Sequence, residues 1–142
     1  MSRKSVFLLP VAVGLLLLTA DFAGAQPKPS RATRLRSPAT VRGFIGGESH
    51  DSYMIRARKG QTLTVRLSWR REGDNRASIT ISESADYYTA EPVRFGMDFD
   101  NGKRWVGRIP RTANYYIDVV AHPTARYTLT VRIQERRASC RD

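Results

Sequence analysis

The chain has 142 residues, of which 24 are Lys or Arg and 13 are Asp or Glu, for a formal net charge of +11, and it contains a single cysteine. One cysteine excludes an internal disulfide, so packing alone must hold a core together. The surplus of positive charge favours acidic partners through long-range attraction and leaves the fold open.

Residues 1–25 have the order of an export signal. Arg3 and Lys4 open it, Val6 to Leu18 form an apolar stretch broken only by Pro10 and Gly14, and Ala23-Gly24-Ala25 supplies a small-residue cleavage site. The stretch is short for a membrane span, and no cysteine follows the site to carry a lipid. The expectation is a mature chain starting near Gln26, without a transmembrane segment after cleavage, in the periplasm or secreted; an uncleaved N-terminal anchor is the alternative. About 117 residues then remain, the size of one domain. The signal carries Arg3 and Lys4 against Asp21, so the charge of the remainder falls by one to +10.

Residues 26–38 mix prolines and basic residues without a period and read as a flexible basic arm. From Ala39 a period of two takes over. Val41 and Ile45 begin an extended run that breaks at Gly46-Gly47. Tyr53, Ile55 and Ala57 alternate with Met54, Arg56 and Arg58, and Lys59-Gly60 turns the chain. Leu63, Val65, Leu67 and Trp69 then alternate with Thr62, Thr64, Arg66 and Ser68, the clearest strand of the sequence. Ala77, Ile79 and Ile81 follow, and after them Val93, Phe95, Met97 and Phe99. Asn101-Gly102 signals a tight hairpin, because both positions tolerate positive φ. Trp105 and Ile109 continue the inward face up to a turn at Pro110 to Asn114. Tyr115, Ile117 and Val119 share one face of the next strand, opposite Tyr116, Asp118 and Val120. Arg126 to Gln134 closes the domain with Tyr127, Leu129, Val131 and Ile133 inward. Residues 135–142 form a polar tail bearing Cys140.

About eight strands without an amphipathic helix predict an all-β fold, an antiparallel, jelly-roll-like β-sandwich over residues 39–134. Two such sheets pack their inward faces about 10 Å apart. Tyr115 is expected in the core with its hydroxyl at the rim, delivered there by the Pro110 turn.

Three stretches, GFIGGESHDSYMIRARKGQTLTVRL (43–67), GRIPRTANYYIDVV (107–120) and ARYTLTVRI (125–133), resemble the bacterial pre-peptidase C-terminal domain. Asp51 and Tyr53 match its Asp-x-Tyr strand, and Ala57 with Gly60-Gln61 its glycine turn. Ile109, Pro110, Thr112 and Tyr115 match its corner, and Tyr127, Leu129 and Val131 its closing strand. Ala113-Asn114 departs from the usual glycine at the corner; Asn also tolerates a left-handed backbone. The resemblance implies a sandwich and leaves function open. More distantly, the layout of one small domain behind a signal is similar to the periplasmic inhibitors of g-type lysozyme, which carry a longer basic loop where this chain has only HPTAR (122–126).

The residues themselves disfavour catalysis, so no enzyme is expected. Only His50 and His122 are available as histidine bases, and Ser49-His50-Asp51, adjacent in an extended segment, point different ways and cannot converge. MDFDNGK (97–103) lacks the full spacing of a calcium loop, so Asp98 is read as a solvent-facing hairpin residue; no metal and no cofactor are expected. No aromatic-basic nucleic-acid motif is present, and Arg56, Arg58, Arg66, Arg104, Arg108 and Arg132 are spread over outward strand positions. The expected function is an exported, non-catalytic binding or structural module of the periplasm or cell envelope, whose partner is a protein or an anionic envelope component. The alternative is inhibition of g-type lysozyme. In an antiparallel sandwich alternate connections emerge together, which gathers Gly46 to Asp51, Arg70 to Arg76, Asp100 to Lys103 and His122 to Ala125 at one end. Arg70, Arg71, Arg76, His122 and Arg126 are therefore the candidate binding residues, since guanidinium forks suit carboxylates and phosphates.

Overall fold

In the computed structural model, which describes residues 31–47 and 49–135, nine strands form two sheets. They are β1 (Thr33–Arg34), β2 (Ala39–Gly46), β3 (His50–Ala57), β4 (Thr62–Trp69), β5 (Arg76–Ser82), β6 (Gly96–Phe99), β7 (Arg104–Arg108), β8 (Ala113–His122) and β9 (Thr124–Gln134). One sheet has the order β1-β3-β8-β5 and the other β2-β9-β4-β7-β6. Every pairing is antiparallel except that of β1 with β3. No helix among the described residues is long and apolar enough to cross a membrane. The expected signal segment and Cys140 lie outside the described residues.

The core lies between the sheets and is built from the alternation seen in the sequence. Ile55, Leu63, Val65, Ile109, Tyr115, Ile117, Val119, Leu129 and Val131 are buried almost completely. Each such side chain contributes about 1.5–3 kcal/mol by leaving water. Across the sandwich, the Tyr127 hydroxyl donates to Asp51 Oδ2 at 2.5 Å and lies 2.5 Å from the Tyr53 hydroxyl. Burial, then the bond to Asp51, pushes the Tyr127 phenol well above its usual range; burial likewise raises Tyr53. Both phenols therefore stay protonated as donors. Asp51, Tyr53 and Tyr127 are thus one hydrogen-bonded lock between β3 and β9. The glycine turn has its own clamp: Gln61 Oε1 accepts from Arg58 N at 2.6 Å, and Gly60, at φ +89, donates to Ile109 O.

Four features differ from the sequence reading. Residues 33–37 do not stand off as an arm: β1 adds to the edge of β3, Leu35 is buried, and Ser37 Oγ accepts from Ile133 N at 2.7 Å. An apolar side chain and a free sheet edge outweigh local proline content. Met97 and Phe99 point outward rather than into the core, at 66% and 38% exposure. The parity breaks because the chain changes sheets: Pro92 and Val93 pair with Ser82 and Ile81 on the β5 edge, whereas Gly96 to Phe99 pair with β7. Gly96 permits the crossing under Trp105, where a Cβ would fall 2.0 Å from the ring. Asp118, on the outward face of β8, is nonetheless 2% exposed and accepts a hydrogen bond from Ser52. The segment after β5 folds back over this face, stacking Tyr87 on His50 at 4.4 Å. At the corner Asn114 is extended, with no positive φ, and Thr112 Oγ1 closes the turn by accepting from Lys59 N at 3.0 Å.

Candidate binding end

Four connections meet at one end, as alternation requires. Asn75, buried in the β4–β5 loop, ties two of them together: its Nδ2 donates to Arg70 O at 3.0 Å and to Thr124 O at 3.2 Å, while its Oδ1 accepts from Glu72 N. Gly47 N donates to Pro123 O at 3.1 Å, which pins the β2–β3 connection to the β8–β9 turn. Leu67 N donates to Lys103 O at 2.7 Å and fixes the β6–β7 hairpin, whose Asp100, Asn101 and Gly102 all have positive φ. The β8–β9 turn is tighter than the five-residue connection read from the sequence, since only Pro123 separates the strands.

Trp69 stands at the centre of this end and divides the candidate residues. On one side a cleft of about 660 Å³ is bordered by Arg71, Arg76, Lys103 and His122, with Ala77 and Ala121 on its floor. On the other a cleft of about 480 Å³ is bordered by Arg42, Phe44, Arg70 and Arg126. Neither contains a carboxylate among its lining residues. Arg70 is paired at the rim with Glu72 at 3.5 Å. Arg71, Arg76 and His122 are thus brought together, whereas Arg70 and Arg126 belong to the outer surface of the five-stranded sheet. The register explains the split: Arg76 lies opposite His122 on the β5–β8 pair, and Arg126 opposite Phe44 on the β2–β9 pair.

Lys103 and Trp69 were not among the candidate residues. Lys103 Nζ sits 4.9 Å from the Trp69 ring centre, a cation over an aromatic face. Alternation had already put residue 103 at this end; Trp69 reads as a core residue by parity, and only its position at the last step of β4 turns it into a wall. The adjacent Ser49-His50-Asp51 do not converge: Ser49 Oγ donates to Gly46 O, His50 stacks on Tyr87, and Asp51 accepts from Tyr127. Asp98 is exposed. No group of three or more metal-ligating side chains occurs among the described residues.

No family model and no curated protein matches the chain. Among solved structures it is similar to PliG of Aeromonas hydrophila, a periplasmic lysozyme inhibitor of g-type lysozyme. The TM-score is 0.57 at 21% identity, covering 72% of this chain and 96% of that one. It is also similar to the pre-peptidase C-terminal domain of a Bacillus anthracis collagenase, with a TM-score of 0.55 at 18% identity, covering 75% of this chain and 100% of that domain. Both belong to families that the sequence resembles, and the likeness is one of fold alone.

Proposed function

We propose that the chain is an exported, non-catalytic binding module of the periplasm or cell envelope, and that its loop end receives an acidic protein surface in the cleft beside Trp69. The observation that carries this reading is the cleft itself: Arg71, Arg76, Lys103 and His122 converge on it, Trp69 walls it, and no carboxylate lines it. Cations held apart from counter-charges on rigid loops suit an acidic partner, and a flat aromatic wall supplies contact area beside them. Residues 1–25 support export through their basic, apolar and small-residue order.

The partner to test first is g-type lysozyme. The fold likeness to PliG over 96% of that chain favours it, although the single-residue β8–β9 turn leaves no long basic loop to insert. The decisive experiment is a lysis assay, in which peptidoglycan is exposed to a g-type lysozyme with rising amounts of the processed protein. Protection at nanomolar protein supports inhibition. Absence of protection at micromolar protein removes that reading and leaves the general module, whose partner a pull-down from envelope extract would then seek.

A further inference from the structure

The outer face of the five-stranded sheet has no role in the cleft beside Arg71 and Arg76, yet it carries a strong excess of positive charge. Its outward positions include Arg42 on β2, Arg126 and Arg132 on β9, Arg66 on β4, and Arg104 and Arg108 on β7. No carboxylate among the described residues pairs with these six in an ion pair. Arg66 and Arg104 are direct cross-strand partners, and Arg132 stands opposite Thr64, one step along β4 from Arg66. Like charges directly opposite one another weaken a sheet, and no ion pair among the described residues offsets the Arg66–Arg104 pair. Arg104 Nε is, moreover, buried without a hydrogen-bond partner.

The same face carries exposed apolar groups at both edges. Phe44, 58% exposed, stands on β2 directly opposite Arg126, whose guanidinium lies 5.3 Å from the ring centre. Phe99 stands on β6 directly opposite Arg104 at 5.4 Å, with Met97 beside it on the same strand. Three of the four exposed large apolar side chains of the described residues are therefore on this face. Four inter-strand steps separate β2 from β6, roughly 19 Å. Arginines between, apolar tips at each side: a soluble polyanion would use the first and gain little from the second, whereas the boundary of a bilayer rewards both. A second copy of the same face would meet it with repulsion.

We propose that this face docks on a membrane surface bearing anionic headgroups, with Phe44, Met97 and Phe99 entering the headgroup layer and Arg66, Arg104 and Arg132 taking phosphates between them. Guanidinium forks match phosphate oxygens bidentately, and apolar side chains of this kind enter only the outer part of the layer. Docking in this way leaves the cleft beside Trp69 on a different surface, so one molecule holds a membrane and an acidic protein at once.

The test is co-sedimentation of the processed protein with vesicles of mixed phosphatidylglycerol and phosphatidylcholine, against vesicles of phosphatidylcholine alone. Binding to the anionic vesicles is expected at about 0.05 M salt and is expected to fall steeply by about 0.5 M, as screening shortens. Arg66→Ser with Arg104→Ser and Arg132→Ser should weaken it about a hundred-fold, each basic side chain near an anionic surface contributing about five-fold. Phe44→Ser with Met97→Ser should weaken it without changing its salt dependence, and Arg71→Ser with Arg76→Ser should leave it as in the parent. The proposal is overturned if the parent stays in the supernatant with anionic vesicles at low salt, or if the triple arginine variant sediments as the parent does. It is equally overturned if the Phe44/Met97 variant binds unchanged while soluble dextran sulfate displaces the protein charge for charge, which would make the face a reader of polyanions and not of membranes.

Discussion

The hydroxyl of Tyr115 donates to the carbonyl of Arg111 at 2.8 Å, across the corner that carries the chain from β7 in one sheet to β8 in the other. The ring is fully buried and meets Phe95 edge-on at 5.6 Å, so one residue both fills the core and fastens the turn. Burial raises its phenol above the usual range, which keeps the donor protonated.

These two roles separate by substitution. Tyr115→Phe keeps the ring and loses the hydrogen bond, a cost of about 0.5–1.5 kcal/mol. Tyr115→Ala also empties the core site and should cost about 3–5 kcal/mol, a large part of the ~5–15 kcal/mol available to a domain. Urea denaturation midpoints of the three proteins measure both steps, and equal midpoints for Tyr115→Ala and the parent would remove Tyr115 from the core.

Gly43 faces Tyr127 directly across the β2–β9 ladder, and a Cβ there would fall 2.4 Å from the end of the phenol ring. The ring cannot simply swing aside, because its hydroxyl is tied to Asp51 and Tyr53. Gly43→Ala should therefore destabilise by about 1–3 kcal/mol as an overpacking change, against the ~0.4–1 kcal/mol gain that Ala brings by restricting the unfolded chain. In a Tyr127→Leu background the clash disappears, so the two costs should fall well short of additive. Additive losses in a double-mutant cycle would show that Gly43 serves some other purpose.

Much of this fold is legible in period two. Eight strands, the inward residues from Tyr53 to Ile133 and the meeting of alternate loops at one end all follow from local alternation, because side-chain direction in a strand is a property of the strand itself. What escaped is non-local. The outward turn of Met97 depends on where the chain leaves the β5 edge for β7, and the burial of Asp118 depends on a segment folding back from residue 83 onward. The division of Arg71, Arg76 and His122 from Arg70 and Arg126 depends on sheet order, which places Trp69 between them. No spacing in the sequence encodes those three relationships.

Asp118 makes a pH-dependent prediction. Burial pushes its carboxyl above the ordinary 3.8, with the Ser52 hydrogen bond and nearby His50 only partly opposing the rise. The native state therefore binds this proton more tightly than the unfolded chain. Its contribution falls as pH climbs from 3.8 through the raised native value, and is flat on either side. Asp118→Asn removes that slope while leaving the other carboxylates in place. Parent and variant compared by urea midpoints should show the variant gaining on the parent across this window. A difference that is constant with pH would mean the carboxylate is solvated in the native state, and one that moves in the parent's favour as pH rises would mean that Ser52 and His50 outweigh burial and hold it ionised.

The last prediction uses the split at Trp69. Arg71 and Arg76 border the cleft of about 660 Å³, whereas Arg70, already paired with Glu72, and Arg126, stacked on Phe44, border the other. If an acidic protein partner enters the first cleft, Arg71→Ala with Arg76→Ala should weaken its binding by about 1–3 kcal/mol, the range of central interface residues. Arg70→Ala with Arg126→Ala should change the same binding by less than about 0.5 kcal/mol. All four positions are exposed, so melting temperatures should stay close to the parent's and separate lost binding from lost folding. Calorimetric titration against g-type lysozyme, or against whichever acidic protein the envelope pull-down returns, reads both pairs under one condition. Equal losses from the two pairs would mean that the partner spans Trp69 and both clefts. Loss from Arg70 and Arg126 alone would move the protein-binding surface to the outer face of the five-stranded sheet, and the cleft beside Trp69 would then have no part in recognition.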